Sequence, residues 1–433
     1  MRRVLLALSG VAVFAVCGLF YVSLRRGIAP LQHPPGAFSS KAIAHGEALA
    51  AGGHCASCHT RAGGAEFAGG YGVNTPFGII YGSNITPDRE TGIGLWSLDA
   101  FRRAMREGVS PDGGHLFPAF PYYAYTKLSD DDIDGLYAYL MSRPATHAAV
   151  LPNTLPFPLN VRAFQAGWKM LFFRSGRYRP DRARSPEWNR GAYLAEGLAD
   201  CSGCHTPRSF LGGEETKTPY AGAVVDGWNA PPLTGANPAP ITWTREELFQ
   251  YLRTGASPLH GATGATMTAI VRDSLALPIV PDSDVRAIAA YFTESNDANL
   301  SAGVIEATTR QALATSPLGS GPEYDPDAAL YASACLSCHY NSGSAPLSVR
   351  PELSLNTSLA SSDPTNFIQV VLRGVGEADG APGLVMPGFA SSLSDGEVAR
   401  IGAYLRQTRT KFPPWRDLGR KITTIRRTMA KSE

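Results

Sequence analysis

The chain has little net charge and lacks the motifs of several enzyme classes. Its 433 residues carry 39 basic and 37 acidic side chains, a net charge of +2, which argues against a nucleic-acid partner. No glycine-rich nucleotide loop follows a strand pattern, and no Ser-His-Asp arrangement is found. With 44% hydrophobic residues, the chain is too apolar to be disordered. Its length predicts about three packed domains.

Cysteine is scarce, and six of the seven cysteines belong to one repeated motif. The pattern Cys-x-x-Cys-His occurs at residues 55–59, 201–205 and 335–339. In this pattern two thiols form thioether bonds to the vinyl groups of a haem, and the histidine becomes the proximal iron ligand. We therefore predict three covalently bound haems c. The attachment residues are Cys55, Cys58, His59, Cys201, Cys204, His205, Cys335, Cys338 and His339.

Other roles of paired cysteines fit the sequence less well. A zinc site would join two Cys-x-x-Cys hooks and would place its histidine at a distance from them. A thioredoxin-like redox pair would lie in a βαβ unit, and one pair would suffice. A disulfide framework would not place a histidine after every pair, and the one remaining cysteine, Cys17, is too few for an iron–sulfur cluster. The spacing therefore favours haem attachment.

The N-terminus has the composition of an export signal or a membrane anchor. Residues 4–24 contain no charged side chain and have arginines on both sides, and a run of this length can span a bilayer. Cys17 in this run is expected to be an ordinary apolar helix residue. Haem c is attached on the outer face of the bacterial inner membrane, which predicts a location on its periplasmic side. We expect residues 1–28 to be retained as an anchor, with cleavage as the alternative.

The haem motifs recur at the spacing of small domains. Cys55, Cys201 and Cys335 are separated by 146 and 134 residues, which is too long for a solenoid repeat. A short helix is expected before each motif, and an aromatic-rich helix is expected to close each domain. We predict an all-α fold of three tandem class I cytochrome c domains at residues 45–150, 187–300 and 322–410. Linkers at 151–186 and 301–321 join them, and a basic amphipathic tail follows at 411–433.

Each haem iron also needs a ligand on its open face, and methionine is the usual one. Met267 and Met386 lie 62 and 47 residues after the histidines of their motifs. Both are predicted iron ligands, with methionines that only pack as the alternative. Phe120 stands at the corresponding offset of the first domain, and phenylalanine cannot bind iron. The sixth ligand of haem 1 is left open between His115, Met105, Met141 and none.

The tail combines an apolar stripe with basic side chains. Trp415, Leu418, Ile422, Ile425 and Met429 fall on one face of a helix. Residues 411–433 carry seven basic and two acidic side chains, and four more arginines precede residue 27, which leaves residues 27–410 at −7. Such a helix suits a membrane interface. The alternative is a helix packed on the cytochrome body or on a partner.

Several stretches of the sequence resemble one known family. They are residues 67–70 with 74–80, residues 84–88 with 91–94, residues 117–121, and residues 190–208. From about residue 40 to 410 the chain resembles the tri-haem cytochrome c subunit of bacterial membrane-bound dehydrogenases. The resemblance implies electron transfer from a dehydrogenase large subunit, accompanied by a small iron–sulfur or accessory subunit. The acceptor would be ubiquinone or a terminal oxidase.

Details of the sequence bear on which member of the family it resembles. The chain resembles subunits paired with molybdenum hydroxylases more closely than those of quinoprotein alcohol dehydrogenases, at Phe120, residues 166–169 and residues 188–191. Molybdenum hydroxylases of this kind oxidise aldehydes or N-heterocycles. Two other functions remain open. One is a peroxidase-like multihaem enzyme that acts at an open haem 1, and the other is a soluble periplasmic electron shuttle.

Overall fold

The computed structural model describes residues 18, 25–295, 302–315, 325–339, 351–376 and 385–430. These residues form helices joined by loops, with three short antiparallel hairpins, which agrees with the predicted helical class. The expected signal or anchor at residues 4–24 lies outside this part of the chain, apart from Gly18. Among the described residues, no helix has both the length and the apolar character needed to cross a membrane.

The helices are short and are separated by turns. In chain order they are α1 (Ser40–Gly52), α2 (Cys55–His59), α3 (Leu98–Glu107), α4 (Tyr122–Tyr125), α5 (Asp130–Met141), α6 (Gln165–Phe172), α7 (Pro186–Tyr193), α8 (Cys201–His205), α9 (Arg245–Thr254), α10 (Thr266–Ile270), α11 (Asp282–Glu294), α12 (Ala302–Thr315), α13 (Pro326–Ala334), α14 (Thr357–Ala360), α15 (Thr365–Arg373), α16 (Asp395–Arg409) and α17 (Leu418–Met429). The hairpins pair β1 (Gly72–Thr75) with β2 (Gly78–Tyr81), β3 (Ala223–Val225) with β4 (Trp228–Ala230), and β5 (Ala256–Ser257) with β6 (Gly261–Ala262).

The chain divides into two compact units. The first contains residues up to Gly203 together with Arg208–Glu215 and Pro278–Pro281. The second contains Cys204–Pro207, Thr216–Leu277 and Asp282–Glu433. The division falls within the second haem motif, so these units do not coincide with three domains along the chain. The three-domain organisation therefore stays a prediction.

In the first unit, α1 and α5 approach each other at two glycines. The Ser39 hydroxyl caps the start of α1 and the Ser129 hydroxyl caps the start of α5. A Cβ atom on Gly46 would lie 1.9 Å from the carbonyl oxygen of Gly135. Only glycine permits this close approach. The contact fixes the end of α1, from which the first haem motif follows after two residues.

In the second unit, α13, α15 and α16 share an apolar core. Ser394 and Glu397 form a capping box at the start of α16. Ile368 of α15 and Ile401 of α16 are buried in the core beside Tyr331 of α13. The predicted opening and closing helices of the third domain are therefore present and in contact.

The tail packs into this core, so the membrane interpretation of its apolar stripe is wrong. Trp415, Leu418, Ile422 and Met429 are all buried in the same cluster. The indole N–H of Trp415 donates to the carbonyl oxygen of Ser361 at 2.9 Å. Because the chain's own residues cover the stripe, it presents no apolar face to lipid. The alternative, a helix packed on the cytochrome body, describes the tail.

Candidate haem-binding sites

The first two haem motifs begin in the same way. His54 and Asp200, which precede the first cysteine of α2 and α8, have positive φ angles of 44° and 43°. This left-handed conformation turns the chain sharply into each motif helix. Within each motif the two cysteines are three residues apart and therefore lie on one face of the helical turn. The six cysteines of the motifs are unbridged.

The first thiols of the first and third motifs lie in surroundings that favour the neutral form. Burial, with a smaller contribution from the neighbouring thiol, raises the pKa of Cys55 to about 12 and that of Cys335 to about 11. Reactive cysteines have a lowered pKa instead. In the part of the chain that the structure describes, no group of three or more His, Cys, Asp or Glu could hold a metal ion. Haem attachment by these cysteines stays a prediction.

Two motif histidines are oriented by a backbone carbonyl. Nδ1 of His59 lies 2.6 Å from the carbonyl oxygen of Ser83, and Nδ1 of His205 lies 2.7 Å from that of Pro231. A carbonyl can only accept, so Nδ1 carries the proton and Nε2 keeps its lone pair. Burial lowers the pKa of both histidines, which favours the neutral ring. Both rings are therefore prepared to bind iron through Nε2.

The third histidine, His339, is half-buried within its motif. Nδ1 of His339 has no hydrogen-bond partner among the described residues. Burial lowers the pKa of His339, whereas Glu352 and the backbone of Pro351 act in the opposite direction. The motif itself, and not an orienting hydrogen bond, therefore supports His339 as an iron ligand, and this assignment stays a prediction.

Glycines that the sequence analysis did not single out hold the chain against the motifs. The amide of Gly69 donates to the carbonyl oxygen of His59 at 2.7 Å, and that of Gly222 donates to the carbonyl oxygen of His205 at 2.8 Å. A Cβ on Gly82 would lie 1.8 Å from the carbonyl oxygen of Cys58. Gly69 and Gly222 follow the two histidines at different spacings, 10 and 17 residues, so these contacts depend on the fold and have no regular sequence signal.

The positions expected for the axial methionines share a regular spacing. Gly108, Gly255 and Gly374 end α3, α9 and α15 with positive φ angles of 60°, 77° and 79°. The twelfth residue after each glycine is Phe120, Met267 and Met386, respectively. This spacing supports the assignment of Phe120 to the position that methionine occupies in the other two repeats.

The two methionines lie in different local structures. Met267 is half-buried near the start of α10. Met386 packs against the core of the second unit, and its backbone exchanges two hydrogen bonds with Val375, at 2.7 and 2.8 Å. Iron ligation by either residue stays a prediction.

Phe120 is connected to the first motif through an aromatic neighbour. Its ring centroid lies 5.4 Å from that of Tyr125, which is buried. Burial raises the pKa of Tyr125, and the nearby thiols of Cys55 and Cys58 raise it further. The loop that carries Phe120 thus runs beside the cysteines of haem 1.

The other candidates for the sixth ligand of haem 1 have packing environments of their own. His115 is buried, its Nδ1 lies 3.0 Å from Nζ of Lys169, and its carbonyl oxygen accepts from Nε of Arg162 at 2.9 Å. Met105 is buried in α3, and Met141 is half-buried at the end of α5. Ligation of the haem 1 iron by any of these three side chains stays a prediction.

Residues beside the first two motifs are in contact within the first unit. Nε2 of His54 lies 3.2 Å from the carbonyl oxygen of Ala199. A Cβ on Gly53 would lie 2.9 Å from the Leu198 side chain. Ala199 is two residues before Cys201, so the chain entering the second motif packs against the chain entering the first.

A hydrogen-bond network extends this contact. The hydroxyl of Tyr123 donates to Asp200 at 3.0 Å, and Arg208 donates to the same hydroxyl at 3.0 Å. Burial raises the pKa of Asp200 to about 7, and the charge of Glu214 adds to the effect. The short helix that follows Phe120 is thereby connected to the residue before Cys201.

Two family models match separate segments of the chain. The model for cytochrome c matches residues 43–144, and the model for subunit III of cbb3-type cytochrome c oxidase matches residues 322–405. The matched segments contain the first and the third haem motif. Cytochrome c domains are therefore present at both motifs.

Similar proteins cover almost the whole chain. A nicotinate dehydrogenase subunit of Pseudomonas putida is 41% identical over 424 residues, which are 95% of this chain and 34% of that protein. The chain thus spans about a third of that relative's length. The fructose dehydrogenase cytochrome subunit of Gluconobacter japonicus is 35% identical over 87% of this chain and 81% of its own length. The gluconate 2-dehydrogenase cytochrome c subunit of Pantoea cypripedii is 36% identical, with coverages of 84% and 85%. Taken with the haem motifs and their oriented histidines, these similarities show that the chain belongs to the family of cytochrome c subunits of membrane-bound dehydrogenases.

Proposed function

We propose that the chain carries electrons through three covalently bound haems c. When bound, haem c supplies a one-electron ferric–ferrous couple whose potential depends on its axial ligands. The six motif cysteines would hold the haems, and His59, His205 and His339 would be the proximal ligands. Met267 and Met386 are proposed as the ligands on the open faces of haems 2 and 3. The observation that carries the proposal is the pair of Nδ1–carbonyl hydrogen bonds that orient His59 and His205.

The contacts around His54 support direct electron transfer between haems 1 and 2. Electron transfer between haems is faster when the groups are closer. The 3.2 Å contact between His54 and Ala199 joins residues within two positions of Cys55 and Cys201. The chain segments that lead into the first and second motifs are neighbours in the first unit.

We further propose a partner dehydrogenase as the electron donor. The named relatives are subunits of nicotinate, fructose and gluconate dehydrogenases, and the highest identity among these three favours a molybdenum enzyme that oxidises an N-heterocycle or an aldehyde. A small iron–sulfur or accessory subunit would complete the complex. Ubiquinone or a terminal oxidase would accept the electrons at the periplasmic side of the inner membrane.

Two measurements test this function. The mass of the denatured chain should exceed the mass of the polypeptide by three haems, and fewer covalent haems would overturn the assignment. Purification from solubilised membranes should recover a dehydrogenase subunit whose substrate reduces the haems. If a quinoprotein rather than a molybdopterin subunit copurifies, the proposed type of dehydrogenase is wrong while electron transfer stands.

A peroxidase-like activity at haem 1 is the second candidate, and Phe120 is the observation that favours it. A side chain without a donor atom at this position would leave one face of the iron open. Carbon monoxide binding by the reduced protein distinguishes the two functions. A fully six-coordinate spectrum without carbon monoxide binding would rule out the enzyme function.

A further inference from the structure

Helix α6 in the linker has its polar and apolar faces inverted. Gln165 and Lys169 point inward and are only 7% and 9% exposed. Met170 and Leu171 on the outer face are 61% and 62% exposed, and Phe164 just before the helix is 43% exposed. A helix at a water-exposed surface normally has the opposite arrangement. An exposed apolar face of this kind indicates a binding surface.

The inward side chain of Lys169 is hydrogen-bonded, so the arrangement of α6 is a stable feature of the fold. Nζ of Lys169 donates to the carbonyl oxygens of Glu107 and Gly108 at 2.5 and 2.8 Å. It also lies 4.5 Å from the centre of the Tyr122 ring. Rotating α6 to bury its apolar face would break all of these contacts.

A second exposed apolar segment adjoins α6. The indole N–H of Trp168 donates to the carbonyl oxygen of Leu211 at 3.0 Å. Leu211 is 39% exposed and Phe210 is 88% exposed. The linker surface is defined as Phe164, Met170, Leu171, Phe210 and Leu211.

Basic residues follow the linker surface immediately. Residues 174–184 contain five arginines and one aspartate, and the five arginines are exposed. Arg177 pairs with Asp130 at 2.8 Å, which leaves a clear excess of positive charge. Apolar side chains next to clustered arginines match the region where lipid acyl chains meet anionic headgroups.

The start of the continuous described chain lies at the base of the same helix. The amide of Ile28 donates to the carbonyl oxygen of Pro111 at 2.8 Å, and Arg103 donates to the carbonyl oxygen of Arg26 at 2.6 Å. In the same loop, Asp112 pairs with Arg162 at 3.1 Å, three residues before α6. Residues 26 and 28, which follow the uncharged run of residues 4–24 in the sequence, therefore lie close to the loop that contacts the start of the linker helix.

We propose that the linker surface inserts into the headgroup region of a bilayer that contains anionic phospholipid. Met170, Leu171 and Phe210 enter the boundary of the acyl chains, and the arginines of residues 174–184 contact the phosphates. This contact is independent of the proposed electron transfer. It orients the first unit on the membrane, a role that the buried tail does not fill.

Depth measurements on the full-length haem protein test the proposal. A nitroxide label at Leu171→Cys, in a Cys17→Ser background, is compared with a label at Val224→Cys, a site that is 72% exposed. In phosphatidylglycerol-containing vesicles, we expect the label at position 171 to lose accessibility to a water-soluble nickel complex several-fold and to gain accessibility to oxygen. The label at position 224 should not change. Equal nickel accessibility of position 171 with and without vesicles would overturn the proposal.

Two further arms separate lipid from a protein partner. In vesicles of phosphatidylcholine alone, the label at position 171 should be less protected from the nickel complex. The Arg179→Gln/Arg182→Gln variant should have the same effect, since each lost arginine weakens the headgroup interaction about fivefold. Arg310→Gln, at another exposed arginine, is the control and should have no effect. Protection that appears only in the detergent-solubilised complex with the dehydrogenase, and not in vesicles, would show that a protein covers this surface and would refute lipid insertion.

Discussion

Nδ1 of His59 lies 2.6 Å from the carbonyl oxygen of Ser83, and this hydrogen bond depends on the glycine before Ser83. Gly82 passes so close to the motif helix that a Cβ atom would lie 1.8 Å from the carbonyl oxygen of Cys58. The segment that orients the histidine is thus held against the helix that carries the thiols. Any side chain at residue 82 would push this segment away from the motif helix.

The first prediction concerns the variant Gly82→Ala. The new Cβ clashes with backbone atoms, so the segment must move away from the motif helix. This movement should lower the unfolding free energy by about 1–3 kcal/mol and should lengthen the His59–Ser83 hydrogen bond. Chemical denaturation of the haem protein measures the loss. The control is Gly36→Ala, since a Cβ there meets nothing within 4 Å. Equal stability of the two variants would contradict the close approach.

The second prediction concerns the open position of haem 1. We expect Phe120→Met to supply a thioether ligand, which should raise the midpoint potential of haem 1 and abolish any carbon monoxide binding there. Phe117→Met places the same side chain three residues earlier and should leave both properties unchanged. A Phe120→Met variant with an unaltered potential and spectrum would mean that residue 120 does not face the iron.

Met386→Leu is the third test. Leucine keeps most of the volume but cannot bind iron, so the potential of haem 3 should fall while the denatured mass still shows three haems. Axial ligands and their environment set haem potentials over a range of about 0.8 V, so a redox titration will resolve the change. Met429→Leu repeats the substitution at a buried core methionine and should leave the potentials in place. Loss of haem 3 itself would show that attachment depends on Met386.

The fourth prediction is a pH dependence of the tail contact. Lys421 lies 2.5 Å from Asp363. Although burial raises the pKa of Asp363, hydrogen bonds from Lys421 and Thr365 outweigh it and lower the pKa from 3.8 to about 2. A carboxyl with a lowered pKa in the folded state stabilises the fold above its unfolded pKa. This contribution should disappear as the pH falls from about 4 to 2.

The variant Asp363→Asn isolates this contribution. The wild-type protein should be more stable than the variant at neutral pH, and the difference should shrink as the pH falls to about 2. Denaturation at several pH values measures it. A difference that stays constant across this range would exclude ionisation of Asp363 as its source.

The sequence predicted those parts of the fold that depend on side-chain chemistry. The three motifs and the predicted closing helices, which the structure shows at Asp130–Met141 and Asp395–Arg409, are all local patterns. The carbonyl groups of Ser83 and Pro231 could not be predicted as partners of the histidines, because every residue has a carbonyl group. Only the folded chain determines which one arrives at Nδ1.

The misassigned tail has a different physical cause. The apolar stripe that begins at Trp415 could pack against a lipid surface or into an apolar groove, and its periodicity is identical in the two cases. The buried neighbours in the second unit decide between them. The inverted polarity of α6 was equally hidden, since the burial of Lys169 depends on carbonyl acceptors supplied by the end of α3.

The last prediction therefore concerns the tail as part of a core. Ile422 is fully buried, so Ile422→Ala should lower the unfolding free energy by about 2–5 kcal/mol, through lost apolar contacts and the cavity left behind. Thr424→Ala, on the exposed side of the same helix, should change the stability little. Because the apolar stripe faces the protein, membrane retention of the folded Ile422→Ala variant should match that of the wild type at temperatures below its unfolding transition. Unchanged stability combined with release from membranes would show instead that Ile422 contacts lipid.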